Sequence, residues 1–465
     1  MRSVKIKGSS FLNILIVISY LSPPFIGAYA WIQMLGRQGV ITQFLNDTFG
    51  LHYGGVYGFA GIVLVFTLQS FPLVYIYVSG ALKNLDNSLN EAAESLGCSR
   101  MGRIWKIIVP LVMPTLLASS MLVFMRVFAD FGTPMLIGEG YKTLPVLIYN
   151  QFMGEVSGDD GFAAAICCIV IGLTIVMFFV QRFLAGRNTY AMTALKPMAA
   201  ESLGGLRNIL AHLAVYMVVG LAILPQFVVV YTSFLATNGG QVFTGGFALQ
   251  SYDATLFAKD NDVIWHTYFL GLCAIAAVLV LGVLIAYLSV RKRNTLNSIL
   301  DVITMFPFII PGSVLGIAFV FAFNKSPIIL TGTALIMIIS FAVRRMPYTV
   351  RSSTAILGNI SPSIEEAAIS LGASDMTTFR KITVPMMMPG VLSGAIMSWV
   401  TIISELSSSI ILYTNSTQTL TVSIYTEVIR GNYGNASAYA TILTVTSILS
   451  LLLFYKVTGR RDVSV

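Results

Sequence analysis

Two carboxylates lie in otherwise apolar stretches of the chain, where ionisable side chains are costly and usually face a cavity or a partner. They are Asp130, in the stretch MRVFADFGTP, and Glu405, in TIISELSSSI. Ser407 and Ser408 add hydroxyl groups beside Glu405. Carboxylate and hydroxyl oxygens are hard donors that suit a hard cation in transit. The pattern predicts a polar translocation pathway through an apolar protein.

Arginines also lie in these apolar stretches. Arg126 precedes Asp130 by one helical turn, so the two would share a helix face and could form an ion pair. We assign Arg126 to the same pathway. Alternatively, the acids lie near an outer mouth and only solvate helix ends. Arg344 and Arg345 are predicted to reach the inner headgroups rather than line a route.

Neither a metal centre nor a catalytic residue is predicted. His212 and His266 are single residues near the ends of apolar stretches, and each is predicted to be an ordinary helix-end residue. The four cysteines show no metal-ligand spacing and no pattern typical of a disulfide framework.

A polar segment occurs twice in the chain. EAAESLGCSRMGRIWKIIVPLVMP begins at Glu91, and EAAISLGASDMTTFRKITVPMMMP begins at Glu366. Asp130 and Glu405 are separated by the same offset as these two glutamates. Between residues 71 and 114, 18 of 44 positions are identical to their counterparts at this offset. The chain is therefore an internal duplication.

Each copy predicts a short helix. Ser88, three positions before Glu91, predicts a capping box, and Gly97 predicts the helix end. The second copy repeats the pattern from Ser363 to Gly372, and a second short basic helix is predicted after each glycine. A single such element would suggest an amphipathic helix resting on headgroups. Two copies at one offset indicate a two-fold partner that grips them.

The composition of the chain predicts which kind of secondary structure positions these residues. The 465 residues are 56% hydrophobic and 10% charged, with a mean hydropathy of +0.81, so the chain is predicted to be an all-α, polytopic membrane protein. About ten transmembrane helices are predicted. They lie near 11–34, 56–80, 108–130, 162–184, 208–234, 265–290, 298–323, 328–346, 386–411 and 437–457.

The basic residues predict the orientation. Of the 28 Lys and Arg residues, 22 fall on one side, five on the other, and Arg126 lies within a span. Both termini and both repeated loops are therefore predicted to be cytoplasmic. This topology accounts for the net charge of +8, and no nucleic-acid partner is predicted.

The chain divides into two predicted halves. Residues 1–187 form the first, with about four spans and the repeated loop at 84–110. Residues 188–207 form a polar cytoplasmic linker, and 208–465 form the second half, with about six spans and the loop at 359–385. By comparison with the second half, the first is expected to lack its two leading helices.

The repeated segment resembles the EAA loop of permeases in binding-protein-dependent ABC importers. The resemblance implies two tandem importer-permease (MetI-like) helical bundles, in a 4 + 6 arrangement of spans. It also implies that each loop is a coupling helix that binds a groove on a cytoplasmic ATPase. The coupling residues would be Glu91, Ala92, Ala93, Gly97, Glu366, Ala367, Ala368 and Gly372.

The same resemblance implies a permease subunit in the bacterial inner membrane, with two copies of the ABC ATPase and an extracytoplasmic solute-binding protein as partners. The sequence contains no Gly-Lys dipeptide and hence no phosphate loop. ATP and Mg would therefore bind the partner ATPase, and no cofactor is expected to bind this chain.

The tracts ADFGTPMLIGEGYKTLPVLIYNQF and SELSSSIILY resemble ferric-iron permeases. Polyamine, thiamine, sulfate and aminoethylphosphonate permeases are the alternatives. A secondary transporter is the alternative class, because such proteins also carry internal repeats and midplane acids.

Overall fold

The computed structural model describes residues 4–21, 23–50, 53–83, 85–154, 159–187, 204–240, 242–257, 262–292 and 294–458. Within these ranges the chain is almost entirely helical, as the apolar composition predicts. Most of the predicted linker, residues 188–203, and the first residue of the predicted loop, Asn84, lie outside the described ranges.

The helices and strands follow one another along the chain in this order. The first helices are α1 Ser9–Leu21, α2 Pro24–Leu35, α3 Val40–Phe49, α4 Gly58–Lys83, α5 Asn87–Ser95, α6 Arg100–Arg103, α7 Val109–Phe128, α8 Gly132–Ile137, α9 Leu144–Met153, α10 Asp160–Arg187 and α11 Gly205–Ser233. Strands β1 Leu235–Asn238 and β2 Val242–Phe247 follow. The later helices are α12 Gln250–Leu256, α13 Val263–Arg291, α14 Thr295–Ile303, α15 Phe306–Ile309, α16 Gly312–Phe323, α17 Ala334–Gly358, α18 Pro362–Ser370, α19 Asp375–Thr378, α20 Val384–Ile403, α21 Ser409–Leu412, α22 Leu420–Ile429 and α23 Tyr433–Thr458.

Helices occupy all ten predicted span positions in the described residues. Seven are continuous, long and apolar enough to cross a bilayer, so the chain is a multi-pass membrane protein. They are Gly58–Lys83, Arg100–Phe128, Asp160–Gln181, Gly205–Ser233, Val263–Arg291, Asp375–Ile403 and Tyr433–Leu453.

The other three positions differ from simple spans. The prediction of one continuous helix over 298–323 is wrong, because the axis bends by 112° between Ile309 and Gly312, where Pro311 interrupts the helix. The predicted span over 11–34 is likewise two helices, α1 and α2. The third exception is the predicted span at 328–346, which is occupied by α17. Its three arginines, Arg344, Arg345 and Arg351, make this helix much less apolar than the others.

Contacts divide the described residues into two compact units. The first holds 4–143 and 171–228, and the second holds 144–170 and 229–458. In the first unit, Ala28 and Trp31 of α2 pack against Val65 of α4 and Ile137 of α8. A Cβ added to Gly61 would lie 2.9 Å from Ile137 Cγ2, so this core depends on a close helix approach.

The core of the second unit is formed by α13, α17 and α20, which pack against one another. Small residues allow the close approach, as is usual between membrane helices. A Cβ added to Gly394 of α20 would lie 2.6 Å from the Cα of Thr349 in α17. A Cβ added to Gly282 of α13 would lie 2.9 Å from Thr349 Cγ2. The three helices therefore form one closely packed bundle.

The duplication seen in the sequence is repeated element by element in the fold. Helices α5, α6 and α7 have the same lengths as α18, α19 and α20, and each pair keeps the offset that separates Glu91 from Glu366. A π-helical turn, at Ile104–Ile108 and at Phe379–Thr383, joins the second and third helix of each set. The same local structure thus precedes one span in each unit.

Candidate functional site

The two repeated segments form short helices that end in the same way. Helices α5 and α18 have equal lengths, and the chain turns at Gly97 (φ +77°) and Gly372 (φ +92°), as predicted. The N–H of Cys98 donates to the carbonyl of Ala93 at 2.9 Å, and the corresponding bond in the second copy is 3.1 Å. This pattern is a Schellman motif, which favours glycine because of the positive φ.

The predicted capping box is wrong in both copies. The cap is two positions earlier, where Asp86 Oδ1 accepts from the N–H of Ser88 at 2.9 Å and Ser361 Oγ accepts from the N–H of Ser363 at 3.4 Å. Aspartate and serine are both favourable caps, so an upstream residue took the role that the pattern assigned to Ser88 and Ser363.

Most coupling residues predicted from the motif lie at the surface of their unit. Glu91, Ala92, Gly97, Glu366, Ala367 and Gly372 are exposed, Ala93 is half-buried and Ala368 is buried. The leucines at the helix ends, Leu96 (87% exposed) and Leu371 (89%), are more exposed than any other large apolar residue in the described chain. Such an apolar residue beside an exposed carboxylate is suited to contact a partner.

The two short helices are anchored by different ion pairs. In the second unit, Arg291 at the end of α13 donates from Nε to Glu365 of α18 at 2.8 Å, and from Nη2 to the carbonyl of Ile360 at 2.9 Å. In the first unit the position equivalent to Glu365 is Asn90, and the ion pair instead joins Glu94 to Arg103 of α6. The loop of the second unit is therefore fastened directly to a long helix.

Replacing Glu365 by glutamine should loosen α18 selectively. The ion pair is nearly buried, and a hydrogen bond to a charged group contributes about 1.5–3 kcal/mol. Amide exchange over 362–370 should accelerate, while exchange over 87–95 in the first unit stays unchanged. Glu366→Gln, at an exposed neighbouring position, is the control and should leave exchange as in the wild type. Equal exchange in all three proteins would contradict the anchor.

Each loop continues directly into a long helix. Arg100–Phe128 and Asp375–Ile403 are each one continuous helix of 29 residues. The prediction of a separate short basic helix before each span is therefore wrong, because the π-helical turn carries the helix through. A displacement of either loop would be transmitted along a continuous helix.

Asp130 and Glu405 lie just beyond the ends of these long helices. The N–H of Thr133 donates to Asp130 Oδ1 at 2.9 Å, and at the equivalent position the N–H of Ser408 donates to Glu405 Oε1 at 3.2 Å. Each acid therefore accepts a backbone hydrogen bond in the interruption that follows the long helix. We call this interruption, residues 129–131 in the first unit and 404–408 in the second, the helix break. A shared helix face for Arg126 and Asp130 was predicted wrongly, since α7 ends before Asp130.

Arg126 lies against α1 of the first unit. Its guanidinium carbon is 4.9 Å from the ring centre of Tyr20, a cation–π geometry. The partner predicted for it, Asp130, is half-buried and contacts the backbone of Thr133. No local pattern indicated the Tyr20 contact, because the two residues lie in different helices.

Glu405 also forms the deepest ion cluster described in the second unit. Glu405 is 3% exposed, and its two carboxylate oxygens accept hydrogen bonds from Arg344 and Arg345 of α17. Ser408 Oγ adds a hydrogen bond at 3.3 Å to Oε1, and Thr421 Oγ1 donates to the Glu405 carbonyl at 2.7 Å. The cluster fastens the break after α20 to the middle of α17.

The prediction that Arg344 and Arg345 extend to the headgroups is therefore wrong. Arg344 is 7% exposed and Arg345 half-buried, and both point to a buried acid far along the chain. A signal was available in the sequence, because two adjacent arginines in a predicted span require a partner. Glu405 was one of the acids in predicted spans that could supply it, and the structure shows that it does.

The first unit has neutral residues where the second has these arginines. At the offset of the repeat, Arg344 corresponds to Gln69 and Arg345 to Ser70. The cap acid is retained in both units, as Asp130 and Glu405, whereas the arginine pair occurs in the second alone. The two units thus share the loop geometry and differ in the charge at the helix break.

The serines predicted beside Glu405 have different surroundings. Ser408 is buried and contacts the carboxylate, whereas Ser407 is half-buried and lies against Gly312 at the start of α16. Ser409 Oγ donates to the Glu405 carbonyl at 2.9 Å. The assignment of Ser407 and Ser408 to a translocation pathway, with Glu405, Arg126 and Asp130, stays a prediction.

The described residues contain no group of three or more His, Cys, Asp or Glu side chains suited to hold a metal ion. His212 lies in the first turns of α11, where Nδ1 is 2.8 Å from the Asn208 carbonyl and Nε2 accepts from the N–H of Lys7 at 3.1 Å. His266 lies in the first turn of α13. His266 is a helix-end residue, as predicted, whereas His212 lies about two turns inside α11.

These features define a multi-pass membrane protein with a duplicated unit, in which an exposed short helix leads into a long span. The sequence matches the family described as binding-protein-dependent transport system inner membrane component over residues 2–190 and 278–461. The match covers most of the chain, and the protein belongs to this family.

Similar proteins include transport permeases. The chain is 31% identical to the ferric transport system permease protein FbpB of Actinobacillus pleuropneumoniae over 454 residues, which are 95% of this chain and 65% of that protein. It is 31% identical to a putative ferric transport system permease protein of Haemophilus influenzae over 412 residues, 86% of this chain and 64% of that protein. The chain thus spans slightly less than two thirds of both relatives. A molybdenum transport system permease protein of Escherichia coli is 28% identical over 183 residues, 38% of this chain and 78% of that protein.

Proposed function

We propose that this chain is the permease subunit of an ATP-driven importer, with its two loop helices α5 and α18 as the contacts for two copies of a cytoplasmic ATPase. The observation that carries the proposal is the pair of exposed leucines, Leu96 and Leu371, each at the end of a repeated helix that leads into a continuous span. A partner that moves these ends would move a long helix in each unit.

In this proposal the chain has no ATPase site of its own. ATP and Mg bind the partner subunits, and an extracytoplasmic solute-binding protein delivers the substrate. The distribution of basic residues supports a location in the bacterial inner membrane with both termini and both loops in the cytoplasm. Alternating access would follow from ATP-driven movement of the two loops.

Ferric iron is the proposed substrate, and two relatives at 31% identity, both named as ferric transport permeases, support it. Other small solutes are the alternative, since a molybdenum permease and a putative 2-aminoethylphosphonate permease from Salmonella, 27% identical over 238 residues, are also similar. Uptake of each labelled solute by proteoliposomes that hold the chain, its ATPase and its binding protein would decide between them. Uptake of another solute without uptake of iron would overturn the ferric assignment.

Cysteine crosslinking tests the coupling contact. In a background with Cys98 and Cys168 replaced by serine, Leu96→Cys and Leu371→Cys should each crosslink to the ATPase. Phe247→Cys in β2 is the matched control, because it is also highly exposed but lies between the predicted spans 208–234 and 265–290, on the side opposite the predicted cytoplasmic linker. Absence of crosslinks at both loop positions, or equal crosslinking at 247, would count against the proposal.

A further inference from the structure

The first turn of α16 is buried and leaves backbone donors without acceptors. The helix follows Pro311, whose side chain cannot cap it, and its first intrahelical bond runs from the N–H of Leu315 to the Pro311 carbonyl at 3.1 Å. The N–H groups of Gly312, Ser313 and Val314 meet no acceptor among the described residues, although all three residues are buried. A helix end of this kind carries a partial positive charge.

A side-chain donor at this turn also lacks a partner. Ser313 is 0% exposed, and its hydroxyl makes no hydrogen bond within the described chain. Buried hydroxyl groups are nearly always hydrogen-bonded, because leaving one unpaired costs free energy. A ligand oxygen at the start of α16 would satisfy this hydroxyl together with the backbone donors.

A guanidinium group lies against the same turn. A Cβ added to Gly312 would overlap Nη1 of Arg344 and lie 2.6 Å from the Cβ of Ser407, so the guanidinium lies directly against the helix start. Arg344 shares the Glu405 carboxylate with Arg345. The Arg344 guanidinium therefore contacts both the Glu405 carboxylate and the positive end of a helix, and Arg345 shares the same carboxylate.

We propose that the first turn of α16, with Ser313, Arg344 and Arg345, is a binding site for an oxyanion group. Guanidinium groups bind carboxylate and phosphate oxygens in a bidentate manner, and a helix start supplies N–H donors to the same ligand. The Arg345 side chain is 16% exposed and the Glu405 side chain 2%, so Arg345 is the member of the cluster that an approaching ligand reaches.

The site has a consequence for the substrate, which rests on the proposed importer function. A bare ferric ion would meet two guanidinium groups and a positive helix end here, and the carboxylate that could ligate it is held by the two arginines. The transported species is therefore one that carries oxyanion groups. The oxyanion comes either from a ferric complex, such as ferric citrate, or from a free oxyanion such as phosphate.

Equilibrium binding of labelled inorganic phosphate to the full chain in nanodiscs of neutral lipid tests the site without any ATPase. Wild-type protein should bind saturably. Ser313→Ala, which removes one hydroxyl and preserves the fold, should weaken binding about tenfold, the factor expected for one hydrogen bond to a charged group. Gly312→Ala should weaken it at least as much, because the added Cβ displaces the Arg344 guanidinium.

Two control variants keep this test specific. Gly316→Ala lies one turn further along α16, where the three atoms nearest to the added Cβ all belong to Ile411, and it should bind as the wild type does. Ser423→Ala removes another buried, unpartnered hydroxyl among the described residues of the second unit and should also bind normally. No saturable binding to the wild type, or unchanged binding in both Ser313→Ala and Gly312→Ala, would overturn the site.

Uptake assays then distinguish the two sources of the oxyanion. Proteoliposomes with the partner ATPase and binding protein are given ferric citrate or free phosphate, each labelled. Entry of iron that is reduced in Ser313→Ala identifies the ferric complex, and entry of phosphate alone identifies the free oxyanion. Intact phosphate binding with no ATP-driven uptake of any solute would reject the importer function and leave the binding site standing.

Discussion

Alanine in place of Glu405 is expected to destabilise the second unit by about 3–5 kcal/mol, the usual cost of removing one partner from a buried ion pair. The variant leaves Arg344 and Arg345 buried without their carboxylate, and it removes the acceptor for the N–H and hydroxyl of Ser408. Denaturant unfolding of the chain in detergent micelles, followed by tryptophan fluorescence, measures the loss.

Asp130→Ala is the matched control, because Asp130 is the equivalent acid of the first unit. Its carboxylate accepts a hydrogen bond from the N–H of Thr133, and the positions of the arginine pair hold neutral residues in the first unit. We therefore expect the free energy of unfolding to fall by about 1 kcal/mol. Replacing Arg344 and Arg345 by methionine in the Glu405→Ala protein should restore part of the stability, since the uncompensated charges are removed. Equal losses in the two single variants would show that the arginine pair adds nothing to Glu405.

The elements predictable from the sequence are those set by composition and repetition. About twenty apolar residues are enough to indicate a span, so helices occupy all ten predicted positions. The constant offset between the two copies predicted that α5 and α18 would match, and the helix ends at Gly97 and Gly372 followed from the conformational freedom of glycine. Each of these features depends on residues close together in the chain.

The features that sequence analysis missed depend on contacts between distant residues. Arg344 and Arg345 meet an acid some 60 positions away, and Arg291 meets Glu365 at a separation of 74. Local pattern assigned the adjacent arginines to the headgroups because long basic side chains often extend there. The caps at Asp86 and Ser361 were missed for a different reason, since two neighbouring polar residues competed for one role and the pattern could not rank them.

The two units are alike at the loops and unlike at the helix breaks. The loops share lengths, turns and exposed leucines, as the proposed contact with two copies of one ATPase would require. The helix break carries Gln69 and Ser70 in one unit and Arg344 and Arg345 in the other. If the proposed permease function is correct, a solute passes the pathway once and need not meet two equal sites, so the charge at the break is free to differ between the units while the loops stay alike.

Replacing Glu91 and Glu366 together by alanine is expected to reduce ATP-driven uptake by at least about tenfold while leaving the fold intact. Both side chains are exposed, so their loss costs the chain little stability, and Glu91 has a short-range hydrogen bond with Asn87 at 2.8 Å. In the proposed complex each carboxylate would make a charge-assisted hydrogen bond to the ATPase, with a contribution of about 1.5–3 kcal/mol. Loss of two such contacts is sufficient for the expected decrease.

The measurement is uptake and ATP hydrolysis in the same proteoliposomes, with the unfolding midpoint as a check on the fold. Ser95→Ala with Ser370→Ala, one turn further along the same helices, is the control and should transport as the wild type does. Hydrolysis should no longer respond to the loaded binding protein in the glutamate variant, because the ATPase and the spans have lost their link. Each single variant should retain part of the uptake, since one loop remains attached. Full uptake in the double variant would mean that the carboxylates do not couple the ATPase to the spans, and the exposed leucines would then have to carry that contact alone.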